Sequence, residues 1–92
     1  MELLWTPEAI RDREVIYSYI ESDSPGAAVG LDNLISEKTA MLRDHPRIGR
    51  PGRVVGTYEL IVHNSYMVVY EIRHSQVRIL AVVHTARQWP PS

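Results

Sequence analysis

Apolar and polar residues alternate with different periods in the two halves of the chain, and this difference predicts the order of the elements. The apolar run MELLW (1–5) predicts a first strand. It is followed by Thr6, which can cap a helix, and by Pro7, which suits the first helical position because its missing N–H would be unpaired there anyway. A first helix is therefore predicted over about 7 to 22.

A second helix is predicted after the same start signal. Ser24 and Pro25 repeat the cap and the proline of the first helix, and apolar residues then recur at helical spacing. This helix is expected to end near His45, because Pro46 disfavours helical geometry in the residue before it. Two helices joined by so short a turn form a helical hairpin.

The second half begins with a loop and continues as three strands. RIGRPGRVVG (47–56) contains three glycines, a proline and three arginines, and helical periodicity fails there. The β-branched and aromatic runs TYELIVH, YMVVYEIR and QVRILAVVH follow, separated by the polar breaks Asn64-Ser65 and His74-Ser75. They predict an antiparallel meander. The expected fold class is α+β, in the order βααβββ, with the helical hairpin packed on one face of a small, mostly antiparallel sheet.

If both hairpins have two-residue loops, the pleat determines which residues share a face of the sheet. One face is then nearly all apolar and is expected to pack under the helices: Ile61, His63, Tyr66, Val68, Tyr70, Ile72, Val77, Ile79, Ala81 and Val83. The other is mixed and is the candidate working surface: Tyr58, Leu60, Val62, Met67, Val69, Glu71, Arg73, Arg78, Leu80, Val82 and His84. Glu71 is expected to lie opposite Arg78 as a cross-strand ion pair.

Size and composition indicate one small globular domain, 1–92. With 92 residues, 45% hydrophobic and 23% charged, the chain has room for a single core and is unlike a disordered polypeptide. Cysteine is absent, which excludes a disulfide framework and favours a reducing compartment. The sequence contains no apolar run of the ~20 residues that span a bilayer, and it starts without the pattern of a signal peptide. A cytoplasmic protein is therefore predicted.

Charge is distributed unevenly although the net charge is only -1. Residues 1–46 carry nine acidic and four basic side chains, whereas residues 47–92 carry six arginines and two glutamates. An acidic first half and a basic second half indicate a polar binding surface that suits an acidic partner. Ordinary solvated charge explains the same pattern equally well.

The histidines do not point to a metal or to a cofactor. His45, His63, His74 and His84 lack helical ligand spacing and have no cysteine or clustered carboxylate beside them, so no metal is expected. In the predicted register His63 and His84 lie at the same end of the sheet on opposite faces, which disfavours a catalytic dyad.

Two basic segments are candidates for binding. Arg50 and Arg53 lie in RPGR, a basic turn that could contact phosphate or carboxylate. His84, Arg87 and Trp89 follow the last strand, where they could serve proton transfer, phosphate pairing and base stacking. Arginine with tryptophan is equally typical of a protein-binding hot spot, and Trp89 could instead fold back over the end of the sheet.

Four stretches together resemble the RelE/ParE toxin superfamily: LLWTPEAIRDREVIYSYI, GRPGRVVGTYELIVH, the paired tyrosines of YMVVY, and VRILAVVHTARQWP. The resemblance covers nearly the whole chain. It implies the toxin of a type II toxin-antitoxin system, with roles in growth arrest and plasmid stabilisation, neutralised by direct binding of a cognate antitoxin in a hetero-oligomer. RelE-like members cut messenger RNA on the ribosome, whereas ParE-like members inhibit DNA gyrase and are not nucleases.

The residues at the positions that carry nuclease chemistry favour the ParE side. RelE-like chemistry needs basic side chains on the open face of the sheet, and here the matching positions hold Tyr58 or Glu59, Leu60 or Ile61, and Met67. The C-terminal tyrosine of the nuclease pattern is also missing, and the closing ARQWP resembles the ParE side of the superfamily. A gyrase inhibitor that binds its target through Arg50, Arg53, Arg87 and Trp89 is the preferred hypothesis. The alternatives are a ribosome-dependent nuclease that uses His84 and Arg87, and a small interaction protein without toxicity.

Overall fold

The computed structural model describes residues 1–91, which form two helices packed on one face of a five-stranded sheet. The elements in chain order are β1 (Glu2–Trp5), α1 (Pro7–Glu21), α2 (Pro25–Ala40), a 3-10 turn (Met41–Arg43), β2 (Arg50–Pro51), β3 (Thr57–His63), β4 (Tyr66–Arg73) and β5 (Gln76–His84). The sheet order is β1-β5-β4-β3-β2, with β1 parallel to β5 and the other pairs antiparallel. The predicted α+β class and order are confirmed, and the short β2 lies within the predicted loop.

Both helices start where their caps were predicted. The hydroxyl oxygen of Thr6 accepts a hydrogen bond from the Ala9 N–H, and that of Ser24 accepts one from the Ala27 N–H. The second helix is shorter than predicted, because it tightens into the 3-10 turn after Ala40 and ends before His45. No helix within residues 1–91 is long and apolar enough to cross a membrane.

Two β-bulges, rather than longer loops, change the faces of the sheet. Both hairpins have the predicted two-residue loops, since His63 pairs with Tyr66 and Arg73 with Gln76. The register shifts at Val62 in β3 and at Leu80 in β5. An extra residue in one strand reverses the side-chain alternation that lies beyond it.

The predicted faces were therefore wrong for β3 before His63 and for β5 beyond the bulge at Leu80. The residues that pack toward the helices are Tyr58, Leu60, Val62, Tyr66, Val68, Tyr70, Ile72, Val77, Ile79 and Val82. A second, smaller cluster of Met67, Val69, Ala81 and Val83 lies on the opposite, open face of the sheet. The predicted Glu71–Arg78 pair is confirmed, with 3.8 Å between Oε2 and Nε.

Candidate functional site

An unpaired length of β5 borders a groove beside α1. β1 accompanies β5 only as far as Ile79, whose carbonyl oxygen accepts hydrogen bonds from the Thr6 N–H (3.1 Å) and the Thr6 hydroxyl (2.8 Å). The chain then turns into α1, so that Leu80–His84 has no neighbouring strand on that side within residues 1–91. Backbone groups on such an edge are available to a further strand.

The α1–β5 groove, as we name the space between this edge and α1, has a volume of about 700 Å³. Its rim is apolar and exposed at Val15 and Tyr19, which are 62% and 75% accessible to solvent. The lining residues are Glu8, Arg11, Asp12, Val15, Ile16, Tyr19, Tyr66, Leu80, Ala81, Val82, Val83, His84, Arg87, Gln88, Trp89 and Pro91. An exposed apolar rim beside an open strand edge is typical of a surface that binds another chain.

Asp12 occupies part of this edge from the helix side. Its Oδ2 accepts a hydrogen bond from the Val82 N–H at 3.1 Å. Partial burial raises the pKa of the Asp12 carboxyl, while the Val82 N–H and Arg11 act in the opposite direction. The Asp12 carboxylate thus accepts a hydrogen bond from a backbone N–H on the length of β5 that β1 does not pair with.

The tail brings three predicted site residues to the same groove. His84, Arg87 and Trp89 all line it. The tail leaves β5 in a turn in which the Arg87 N–H donates to the His84 carbonyl and the Ala86 N–H donates to His84 Nδ1. Arg87 is exposed, but Trp89 is half-buried against the open-face cluster. Trp89 therefore folds back over the sheet, as in the alternative considered for it from the sequence.

The two strand-end histidines lie on the same face of the sheet, contrary to prediction. Tyr66 pairs with His63 in β3 and with His84 in β5, and directly opposed residues share a face. The ring centroids are 6.3 Å apart for His63 and Tyr66 and 5.3 Å apart for Tyr66 and His84. The β5 bulge at Leu80 produces this arrangement, because it shifts the residue opposite Tyr66 from Val83 to His84. Because Tyr66 stands between the two imidazoles, they do not form a hydrogen-bonded dyad.

The loop arginines are held by neighbours in different ways. Arg50 Nε contacts Glu59 Oε1 at 2.9 Å, while most of the Arg50 side chain stays exposed. Arg53 donates to the side-chain oxygen of Gln88, so the loop touches the tail. The structure thus joins Arg53 to the segment that carries Arg87 and Trp89, and leaves Arg50 at the far edge of the sheet beside β3.

Sequence reasoning missed the residues that support the loop. Arg47 donates to the Tyr58 hydroxyl at 2.8 Å, and the ring of Tyr58 stacks on that of Tyr70 with centroids 5.2 Å apart. The only signal in the sequence was Tyr70, on the face predicted to pack under the helices, because a buried tyrosine hydroxyl usually has a hydrogen-bond partner. Within residues 1–91, no three His, Asp or Glu side chains converge as metal ligands.

Comparison with known proteins identifies the family. The family model described as "ParE toxin of type II toxin-antitoxin system, parDE" matches residues 3–89. The chain belongs to the ParE toxin family. A relative in Sinorhizobium fredii (strain NBRC 101917 / NGR234), named "Putative toxin Y4kP", is 39% identical over 87 residues, which cover 94% of this chain and 90% of the relative.

Solved structures of this family and of YoeB proteins share the fold. A structure titled "Chromosomal ParDE TA system from P. aeruginosa" matches with a TM-score of 0.82 and 24% identity, over 91% of this chain and 95% of that one. The "YoeB/ParE toxin from Agrobacterium tumefaciens" matches with a TM-score of 0.65 and 15% identity, over 91% and 98% of the two chains. The arrangement of two helices on one face of the sheet is therefore that of ParE-like and YoeB-like toxins.

Proposed function

We propose that this ParE-family toxin arrests growth by binding and inhibiting DNA gyrase, without cutting a nucleic acid. The observation that supports the proposal is the composition of the open face. On this face Arg50 is paired with Glu59 and Arg78 with Glu71, and the third strand arginine, Arg73, lies at the end of β4 beside the hairpin turn, away from the centre of the sheet. A nuclease needs uncompensated cations there to hold the RNA backbone and to stabilise charge on the phosphate.

The centre of the open face also lacks space for a substrate. Met67, Val69 and Ala81 occupy it, and Trp89 packs against them. An RNA strand would have to displace the Trp89 indole before it could reach the sheet. A surface of this kind is better suited to binding a protein through the exposed groups around it, which include Arg87 and the loop arginines.

A supercoiling assay with purified toxin and purified gyrase tests the proposal. We expect inhibition that depends on toxin concentration, and a reduced effect for Arg87→Ala. Unimpaired supercoiling at large molar excess, together with normal gyrase function in growth-arrested cells, would refute it.

One observation favours a second candidate, ribosome-dependent cleavage of messenger RNA. His84 Nδ1 accepts the Ala86 N–H, which places the proton of the neutral ring on Nε2. His84 and Arg87 line the same groove, so a hydrogen-bond donor and a cation, both able to contact a phosphate group, are neighbours there. Primer extension on transcripts after induction separates the candidates: new codon-phased ends support cleavage, and unchanged transcripts during arrest exclude it. Continued growth after induction without antitoxin would instead favour an interaction protein without toxicity.

We further propose that a cognate antitoxin neutralises the toxin by placing a segment in the α1–β5 groove. The unpaired edge of β5 offers backbone hydrogen bonds, and Val15 and Tyr19 offer apolar contact. A Val15→Glu variant should bind the antitoxin at least about tenfold more weakly, a change of roughly 1.4 kcal/mol. Val29→Glu, at a 47% exposed position on α2, is the matched control. Equal affinity for both variants would exclude the groove.

A further inference from the structure

The loop formed by residues 47–56 carries a strongly exposed valine, Val55, at its tip. Val55 is 99% accessible and its neighbour Val54 is 38% accessible. Among the exposed large hydrophobic residues within the described chain, Val55 has the greatest accessible fraction. A solvated aliphatic side chain at a loop tip contributes nothing to the core, and a partner that covered it would gain the free energy of its burial.

Hydrogen bonds keep this tip in one conformation. The Gly52 N–H donates to the Thr57 carbonyl at 2.8 Å, and the Thr57 N–H donates to the Val54 carbonyl at 3.0 Å. The Thr57 hydroxyl also donates to the Val54 carbonyl, at 2.6 Å. Gly56 completes the turn with φ +90°, a backbone conformation that residues with a side chain rarely adopt. Val55 is therefore presented on a closed turn.

The Tyr70 hydroxyl anchors the base of the loop to the core. It donates to the Pro46 carbonyl at 2.7 Å and accepts the Gly49 N–H at 3.0 Å. Burial raises the pKa of Tyr70, so its hydroxyl keeps the proton that it donates. A Cβ at position 49 would lie 2.6 Å from the Tyr70 hydroxyl oxygen, which explains the glycine there.

The surroundings of the tip are basic. Arg47 and Arg53 have no carboxylate partner within residues 1–91, and Arg50 shares Glu59. Phosphate groups would use the cations but would gain nothing from an exposed valine, whereas an acidic protein surface with a small apolar pocket would use both. Because the loop is already ordered, little conformational entropy is lost when it binds.

We propose that residues 47–56 form a preformed recognition element, in which Val55 enters an apolar pocket on an acidic surface of the toxin's target protein. Tyr70 acts as a positioning residue for this element. The proposal rests on the proposed function in that it takes gyrase as the target. No residue of 47–56 lines the α1–β5 groove, although Arg53 contacts Gln88 of its lining, and Val55 itself lies on the turn that joins β2 to β3 at the other edge of the sheet. Loop variants should therefore retain the antitoxin.

Val55→Asp tests the anchor, with Val29→Asp on α2 as the matched control. We expect Val55→Asp to bind purified gyrase at least about tenfold more weakly and to lose growth arrest, because a charge replaces the apolar anchor. Antitoxin affinity and thermal midpoint should match those of the control. Gyrase affinity and growth arrest equal to those of Val29→Asp would overturn the proposal.

The two proposals fail in different ways. If the wild-type toxin arrests growth without inhibiting supercoiling, the gyrase assignment falls, and the growth arrest of Val55→Asp still decides the role of the loop. Arrest retained by this variant counts against the loop, and arrest lost with normal antitoxin binding supports it. A wild-type chain that never arrests growth refutes both.

Tyr70→Phe tests the positioning role, since it keeps the ring stacked on Tyr58 and removes both hydrogen bonds to the loop. We expect faster amide hydrogen exchange at Gly49, which loses its acceptor, together with weaker target binding and unchanged antitoxin binding. Faster exchange at Gly49 with unchanged target affinity would remove Tyr70 from target recognition. Unchanged exchange would show that the hydroxyl does not hold the loop.

Discussion

Asp12 couples the stability of the fold to pH at the edge of β5. Burial raises its pKa above the ordinary value of 3.8, so the folded state holds this proton more tightly than the unfolded chain does. Protonation of Asp12 therefore favours folding. This contribution is present at low pH and is lost as the pH rises from the unfolded pKa through the raised folded pKa.

Asp12→Asn should flatten this pH dependence. The asparagine carbonyl still accepts the Val82 N–H but carries no charge to desolvate. Thermal midpoints of both proteins from about pH 3.5 to about pH 7 provide the measurement. We expect the wild-type midpoint to fall relative to that of the variant as the pH rises. A constant difference over the whole range would show that Asp12 does not titrate with folding.

The tail residues Arg87 and Trp89 should differ in what they contribute. Because Arg87 is exposed, Arg87→Ala should leave the thermal midpoint unchanged, and it should weaken growth arrest because a cation proposed to contact the target is lost. The ring of Trp89, in contrast, packs against Met67, Val69 and Ala81. Trp89→Ala should therefore also lower the free energy of unfolding, by about 1–2 kcal/mol for a half-buried ring.

Growth arrest, thermal midpoint and antitoxin affinity, measured in parallel for the two tail variants, separate these effects. Growth arrest retained by the Arg87→Ala, Trp89→Ala double variant would exclude the tail from target binding. A midpoint unchanged by Trp89→Ala would contradict the packing role of the ring.

At the scale of elements, the start of α1 is bound to the sheet as well as capped. The Thr6 hydroxyl accepts the Ala9 N–H and donates to the Ile79 carbonyl, and Thr6 is buried. The Ser24 hydroxyl, in contrast, accepts only the Ala27 N–H of its own helix. The cap of α1 thus helps to fix the helix along the open edge of β5.

Thr6→Ala should destabilise the protein more than Ser24→Ala does. A lost helix cap costs about 1 kcal/mol, and the lost hydrogen bond to Ile79 adds roughly another 1 kcal/mol. Denaturant unfolding of the two variants beside the wild type measures the difference. Equal losses for Thr6→Ala and Ser24→Ala would mean that the contact with Ile79 contributes nothing.

At the scale of the whole molecule, the uneven charge along the chain becomes a separation in space. The acidic residues 1–46 form β1 and the helical layer, and the basic residues 47–92 form the rest of the sheet, the loop and the tail. The loop and tail segments that carry Arg53 and Arg87, which the Arg53–Gln88 hydrogen bond joins, are therefore the part of the molecule suited to an acidic partner.

Target binding should consequently depend on salt. Between about 0.1 M and 1 M salt, the screening length falls from about 10 Å to about 3 Å. We expect the association rate with gyrase to fall over this range, and the effect to shrink in Arg53→Ala, measured by surface plasmon resonance. Antitoxin binding to the apolar α1–β5 groove should change less. An association rate with gyrase that is independent of salt would argue against electrostatic recognition.

Local rules were sufficient for the elements of this protein. The caps at Thr6 and Ser24, the two-residue hairpin loops and the Glu71–Arg78 pair all follow from interactions between near neighbours along the chain or across one hairpin. Such interactions depend on backbone geometry that the residue types themselves impose. The order of the elements and the fold class could be predicted for the same reason.

Tertiary structure decided the faces of the sheet and the composition of the candidate site. The bulges at Val62 and Leu80 reverse the side-chain alternation, and nothing in the apolar pattern distinguishes a bulged strand from a regular one. The groove exists because β1 ends opposite Ile79, and Trp89 reaches the open face because the tail turns back. The Tyr70 hydroxyl meets a loop more than twenty residues away in the chain. Each depends on packing between segments distant in sequence, which residue spacing alone does not encode.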